Sequence, residues 1–224
     1  MRFVLFAILL ALLALSPVAA RAQTDQQALV DRSTLTVQEM FGPDNAKDER
    51  SMLARAKAAM ICPRIFKAGF FFGGQGGSCV LISRGPGGWS SPAFYTVGSG
   101  SFGLQIGVQD SELAFLILTD RGLQAVLDSQ FKIGADASIA IATLGAGLEG
   151  DTTAALRADI VAFSKNRGLF VGISLQGSII SSDSGWNQTY YGQPLAAQQI
   201  VMQGAGNNPG AAPLREMLAR FAGG

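Results

Sequence analysis

The 224-residue chain contains no histidine. Without imidazole there is no Ser-His-Asp or Cys-His catalytic pair, and the commonest transition-metal ligand is missing. Cysteine is nearly absent too, with Cys62 and Cys79 the two in the chain, and two thiols without histidine do not make a structural zinc site. Charge is sparse: Asp, Glu, Lys and Arg are 15% of residues, and the formal net charge is +1. That balance excludes whole-protein attraction to nucleic acid or to anionic lipid, so any such attraction must come from a local patch. The apolar run at residues 3–15 is shorter than the roughly 20 residues a membrane-spanning helix needs.

What is present begins with that run. Arg2 forms a short basic start, the apolar stretch follows, and Ala20 and Ala22 are small residues where a signal peptidase reads. Residues 1–22 are read as a secretory signal peptide, and no cysteine stands close behind to accept a lipid anchor. Arg2 and Arg21 fall in this leader, leaving 15 basic against 16 acidic residues, a net of −1. An exported chain permits a disulfide, and Cys62 and Cys79 flank the glycine cluster at 73–77, read as a turn. They are expected to form a disulfide across that hairpin or to remain two buried thiols.

Residues 24–41 predict an amphipathic helix, with Leu29, Val30, Ser33, Val37, Met40 and Phe41 on one stripe. Gly42 and Pro43 end it, and Asp44 or Asn45 is placed to cap a second helix reaching about Ala59. From Met60 onward β signals dominate. Residues 78–83, 93–97 and 102–108 read as short strands, and 113–118 as a strand covered on both faces. A short helix over 121–128 follows, capped by Thr119 or Asp120. Residues 133–143 and 171–179 alternate like strands, while 154–163 is open between strand and helix. Residues 203–210 read as a flexible linker before a small amphipathic helix carrying Leu214, Met217, Leu218 and Phe221. The expected fold is α+β: N-terminal helices followed by a strongly curved, barrel-like antiparallel β-sheet. The expected domains are the signal peptide, one domain over 23–202, and the linker with its C-terminal helix over 203–224.

The stretch ICPRIFKAGFFFGGQGG at 61–77 gathers Phe66, Phe70, Phe71 and Phe72 beside Arg64 and Lys67. Strand side chains alternate, so Phe71 must face away from Phe70 and Phe72, and both faces need an apolar partner. Arg50, Arg55, Lys57, Arg64 and Lys67 stand against Asp48 and Glu49, a local excess of three positive charges that is either a solvated helix face or an anion-binding patch. Two matches to G-x-G-x-x-G, at 98–103 and 145–150, lack the strand–glycine–helix context of a dinucleotide site and read as turns. Asp110 and Glu112 share a strand face and read as the solvated end of a hairpin. Asn187 begins an N-x-T sequon.

Five segments together carry a family resemblance: KAGFFFGG at 67–74, PAFY at 92–95 running through GSGSFGLQIG at 98–107, FKIGADAS at 131–138 on to Gly150, GLFVGISLQGS at 168–178, and WNQTYYG at 186–192. In this order and spacing the chain resembles the SYLF lipid-binding domain, in its exported, single-domain bacterial form. The resemblance implies lipid binding without enzymatic turnover or cofactor. Eukaryotic relatives bind phosphoinositides, and some act with actin. The signal peptide and the missing Src-homology and FYVE modules argue against actin, and also against phosphoinositides, as partners here.

The leading reading is therefore an exported, non-enzymatic protein of the periplasm or outer-membrane surface, or a secreted one. It binds phospholipid or another anionic envelope lipid, and no nucleic acid, through Arg55, Lys57, Arg64, Phe66, Lys67, Phe70, Phe71 and Phe72. The alternatives are an integral outer-membrane β-barrel and a structural or partner-binding envelope protein that uses residues 214–221 as a hook.

Overall fold

The computed structural model describes residues 17–44, 46–69, 72–102, 107–128, 130–143, 157–168 and 177–223. Helix α1 (Pro17–Phe41) starts earlier than the stripe predicts, and the expected leader's residues 1–16 lie outside the described set. The stripe itself is the buried face: Val30, Ser33, Val37 and Phe41 are fully buried. Ser33 is tolerated there because its hydroxyl donates back to the Leu29 carbonyl at 2.8 Å. Among the described residues no helix is long and apolar enough to cross a membrane.

Helix α2 (Lys47–Arg55) is shorter than expected, and Ala46 caps it without a side-chain hydrogen bond. Ala58 and Ala59, expected at the end of this helix, belong instead to strand β1 (Ala58–Gly69). Residues 58–61 pair with a strand on each side, and two ladders outweigh a further half-turn of helix.

Strands β2 (Phe72–Gly85), β3 (Gly88–Trp89), β4 (Ala93–Phe102) and β5 (Gly107–Ile117) follow, then α3 (Asp120–Leu127). Next come β6 (Gln130–Lys132), β7 (Ile139–Thr143), β8 (Ile160–Gly168) and β9 (Ile179–Ser182). The C-terminal part holds α4 (Ser184–Tyr191), α5 (Ala197–Gln203), a 3-10 turn (Pro209–Ala211) and α6 (Ala212–Phe221). The sheet order is β6-β9-β4-β2-β1-β5-β8-β7, with β3 on β2, curled into a half-barrel. The α+β architecture is as expected, but the sheet is mixed, because β7 runs parallel to β8. Among the described residues the sheet is open and covered on both faces, which is not the form of a transmembrane barrel.

One apolar layer joins α1, α2, α4 and α6 to Ala59, Ile61, Val80, Phe94, Leu116 and Phe163. The other joins α3 and α5 to Met60, Cys62, Leu81, Tyr95, Phe115 and Ile180. In the second layer Cys62 and Cys79 form a disulfide between β1 and β2, with 4.2 Å between their Cα atoms. It closes a separation of 17 residues, and a loop of that size predicts a loss of about 3 kcal/mol when both cysteines become alanine. Urea unfolding of Cys62→Ala/Cys79→Ala, with and without reductant, measures it.

The remaining differences from expectation are local. The glycines at 73–77, read as a turn, lie within β2, where Gly73, Gly74 and Gly76 pair with both β1 and β4 and Gly77 pairs with β4. The alternation over 133–143 is broken: Gly134 adopts φ +84° and Asp136 accepts from the Lys132 N–H, so only Ile139–Thr143 is strand. The first glycine motif runs along β4 as far as Phe102. Residues 103–106, the second motif and most of the strand expected at 171–179 lie outside the described residues. The stretch expected as a flexible linker is tied down: Ser91 donates to the Gly206 carbonyl, and Asn208 donates to that of Tyr190. Asn187 of the sequon is fully buried, its side-chain oxygen accepting from the Phe94 N–H at 2.8 Å.

Candidate functional site

Pro63 has no N–H to give a ladder, and β1 carries its irregularity there. Cys62 and Ile65, three residues apart, face Leu113 and Ser111, two apart, so β1 holds one extra residue. This bulge shifts the side-chain phase of β1. Ahead of it Cys62 is buried in the second layer; beyond it Ile65 takes that face and Phe66 turns to the layer of α1. Gly77 makes room for the bulge, since a Cβ there would lie 2.1 Å from the Arg64 carbonyl oxygen.

Past the bulge the helical cover thins. Phe66 is 44% exposed and Val108 on β5 60% exposed, while Leu35, one turn along α1 from Arg32, is 57% exposed. Arg64 lies over the Phe66 ring, 5.6 Å from its centroid, within cation–π range. Its Nε donates to Asp110 Oδ1 at 2.8 Å and its Nη2 to Oδ2 at 3.0 Å, a two-pronged ion pair. That hydrogen bond holds the Asp110 carboxyl below its ordinary value and raises the Arg64 guanidinium.

Two clefts flank this ridge, and Arg32, Pro63, Arg64 and Phe66 line both. The first, about 450 Å³, adds Val108, Asp110 and Glu112 from β5. The second, about 570 Å³, adds Asp25, Ala28 and Leu29 of α1, the glycines Gly76 and Gly77, and Trp186 of α4. Arg32 is exposed and makes no hydrogen bond or ion pair among the described residues. The site thus combines guanidinium groups, carboxylates and exposed apolar side chains, a set suited to binding an amphipathic ligand.

Of the residues expected in the site, Arg64 and Phe66 are together on the ridge. Lys67 follows Phe66 on the strand and so takes the opposite face. Arg55 and Lys57 precede β1, with Lys57 paired to Asp120 at 2.7 Å. Ten residues of extended chain put Lys57 about 30 Å from Lys67, so the basic residues do not form one patch. Phe70 and Phe71 lie outside the described residues, and the side chain of Phe72 does too. Arg32, Val108 and Asp110 were not expected in the site. The shared strand face of Asp110 and Glu112 was legible, but not that Arg64 would meet it.

A family profile described as Ysc84, Las17-binding protein actin regulator, matches residues 98–221. The human SH3 domain-containing YSC84-like protein 1 is 28% identical over 207 residues, covering 92% of this chain and 60% of that protein. Protein YSC84 of Saccharomyces cerevisiae is 28% identical over 206 residues, covering 90% of this chain and 44% of its own. LAS seventeen-binding protein 3 of the same species matches to the same extent. The chain therefore spans 60% of the length of the human relative and less than half that of the two yeast ones. The expectation that actin is not a partner is corrected by these matches: the family is described as an actin regulator, and the yeast relative is named for binding Las17.

Proposed function

The chain belongs to the Ysc84 family, and on that premise we propose that it is a non-enzymatic lipid-binding protein that docks on a membrane through the Arg32–Arg64–Phe66 ridge. The observation that carries this reading is the gathering of Phe66 and Val108, both exposed, around two arginines. Apolar side chains in that setting enter the acyl boundary while guanidinium groups meet phosphate, each cation contributing about 1 kcal/mol near an anionic surface. The apolar leader and the cross-strand disulfide support an exported protein that works in the cell envelope or beyond it.

Vesicle flotation tests the proposal. With vesicles of mixed phosphatidylethanolamine and phosphatidylglycerol, Arg32→Glu/Arg64→Glu is expected to bind at least ~10-fold more weakly, two charge reversals at about 1 kcal/mol per charge being ample for it. Undiminished binding by the folded variant removes the ridge from the mechanism. A second reading, a protein-binding module for an actin regulator or for actin, is favoured by the family description. Co-sedimentation with actin filaments in the absence of lipid separates the two.

A further inference from the structure

We propose that the headgroup this ridge selects is zwitterionic, a phosphate joined to a primary ammonium as in phosphatidylethanolamine. The inference rests on the lipid-docking reading above and names the lipid class for the same site. Its basis is the sign of the charges in the first cleft, where Arg32 and Arg64 stand beside Asp110 and Glu112. Among the described residues the second cleft adds Asp25 and no further cation. Across both, the charged lining side chains among the described residues are three carboxylates and two guanidinium groups, so a headgroup carrying negative charge alone meets as much repulsion as attraction from them.

A phosphate–ammonium headgroup meets both signs at once. Arg64 uses Nε and Nη2 on Asp110, leaving the N–H groups of Nη1 for phosphate. Arg32 reaches the same cleft with its whole guanidinium unengaged among the described residues. An ammonium lying next to that phosphate has the carboxylates of Asp110 and Glu112 to receive its three N–H donors. Asp110 stays ionised because Arg64 holds its carboxyl low. A membrane source, rather than a free phosphoamine, is the occupant because Phe66 and Val108 border the cleft with exposed apolar surface. Attraction of this paired kind acts at contact and is little screened by salt, whereas a basic patch on an anionic bilayer is screened strongly.

The test compares flotation with vesicles of phosphatidylcholine plus phosphatidylethanolamine against vesicles of phosphatidylglycerol, at low and high salt. Binding to the ethanolamine vesicles is expected to be about tenfold tighter and nearly independent of salt. Asp110→Asn, which removes one ammonium acceptor and frees Arg64 for phosphate, is expected to shift the preference toward phosphatidylglycerol. Tighter binding of wild type to phosphatidylglycerol, lost in high salt, overturns the zwitterion inference and leaves lipid docking standing. An Asp110→Asn variant with unchanged preference also overturns it. Binding to neither vesicle overturns the lipid-docking reading and this inference together.

Discussion

Gly77→Ala is expected to destabilise the protein by about 3 kcal/mol or more, the upper range for forcing atoms into a filled interior. Its added methyl would lie 2.1 Å from the Arg64 carbonyl oxygen and 2.8 Å from Ile65 Cδ1. Neither neighbour yields easily. The first is backbone inside the bulge, and Ile65 is 1% exposed within the second apolar layer. Relief requires β1 to move off β2 where the strands are also joined by the Cys62–Cys79 disulfide. Gly74→Ala is the control: among the described residues its methyl would have one neighbour, the Ser99 carbonyl oxygen at an ordinary 3.7 Å. Urea midpoints for the two variants should therefore separate widely. If Gly77→Ala stays within about 0.5 kcal/mol of wild type, the Arg64 carbonyl is free to move and the bulge is not a fixed support for the ridge.

This position shows why part of the site was legible in the sequence and part was not. Arg64 and Phe66 stand out locally, as a cation beside an aromatic. That both face the layer of α1 depends on one extra residue at Pro63, and that residue fits only because Gly77 on the neighbouring strand has no side chain. Read along the chain, the glycines at 73–77 therefore resemble a turn; read across the sheet, they accommodate a bulge. Arg32 and Asp110 come from segments more than 30 residues away in either direction, and only the packing of α1 and the β1–β5 ladder delivers them. Arg55 and Lys57 belonged to the same basic run, yet strand length carries them to the other end of β1.

The larger elements were more legible, for a physical reason. The stripe of α1 and the unbroken apolar run in β5 each record burial directly, because burial imposes a period on one and removes polarity from both faces of the other. The alternation over 133–143 misled because a period of two does not reveal a reversal at Gly134, whose positive φ turns the chain without disturbing the pattern. The parallel pairing of β7 with β8 is a tertiary choice with no local signature.

Asp159→Ala is the second substitution expected to have a large effect, with a loss of about 3 kcal/mol at neutral pH, typical of stranding several buried donors. Asp159 is 8% exposed, and it accepts from Thr119 Oγ1 at 2.7 Å, Ser138 Oγ at 2.8 Å and the Ser138 N–H at 3.0 Å. Thr119 in turn caps α3 by accepting from the Gly122 N–H at 3.0 Å. One carboxylate thus orients a helix cap and ties the approach to β7 to the start of β8. The hydrogen bond from Thr119 chiefly holds the carboxyl below its ordinary value, joined by those from Ser138 and by the Arg121 charge, against a desolvation that acts the other way. Because the folded-state value is depressed, this stabilisation is fully present above the unfolded value, about 3.9, and is lost as pH falls through the folded value. The stability curves of wild type and Asp159→Ala should therefore run parallel near neutrality and converge in acid. Asp159→Asn should fall between them, because its amide oxygen can still accept from Thr119 while its NH₂ confronts the Ser138 N–H. Chemical unfolding of the three proteins from neutral to acid pH measures this. A gap between wild type and Asp159→Ala that stays constant into acid would show that the ionised carboxylate is not what holds the α3 cap to β8.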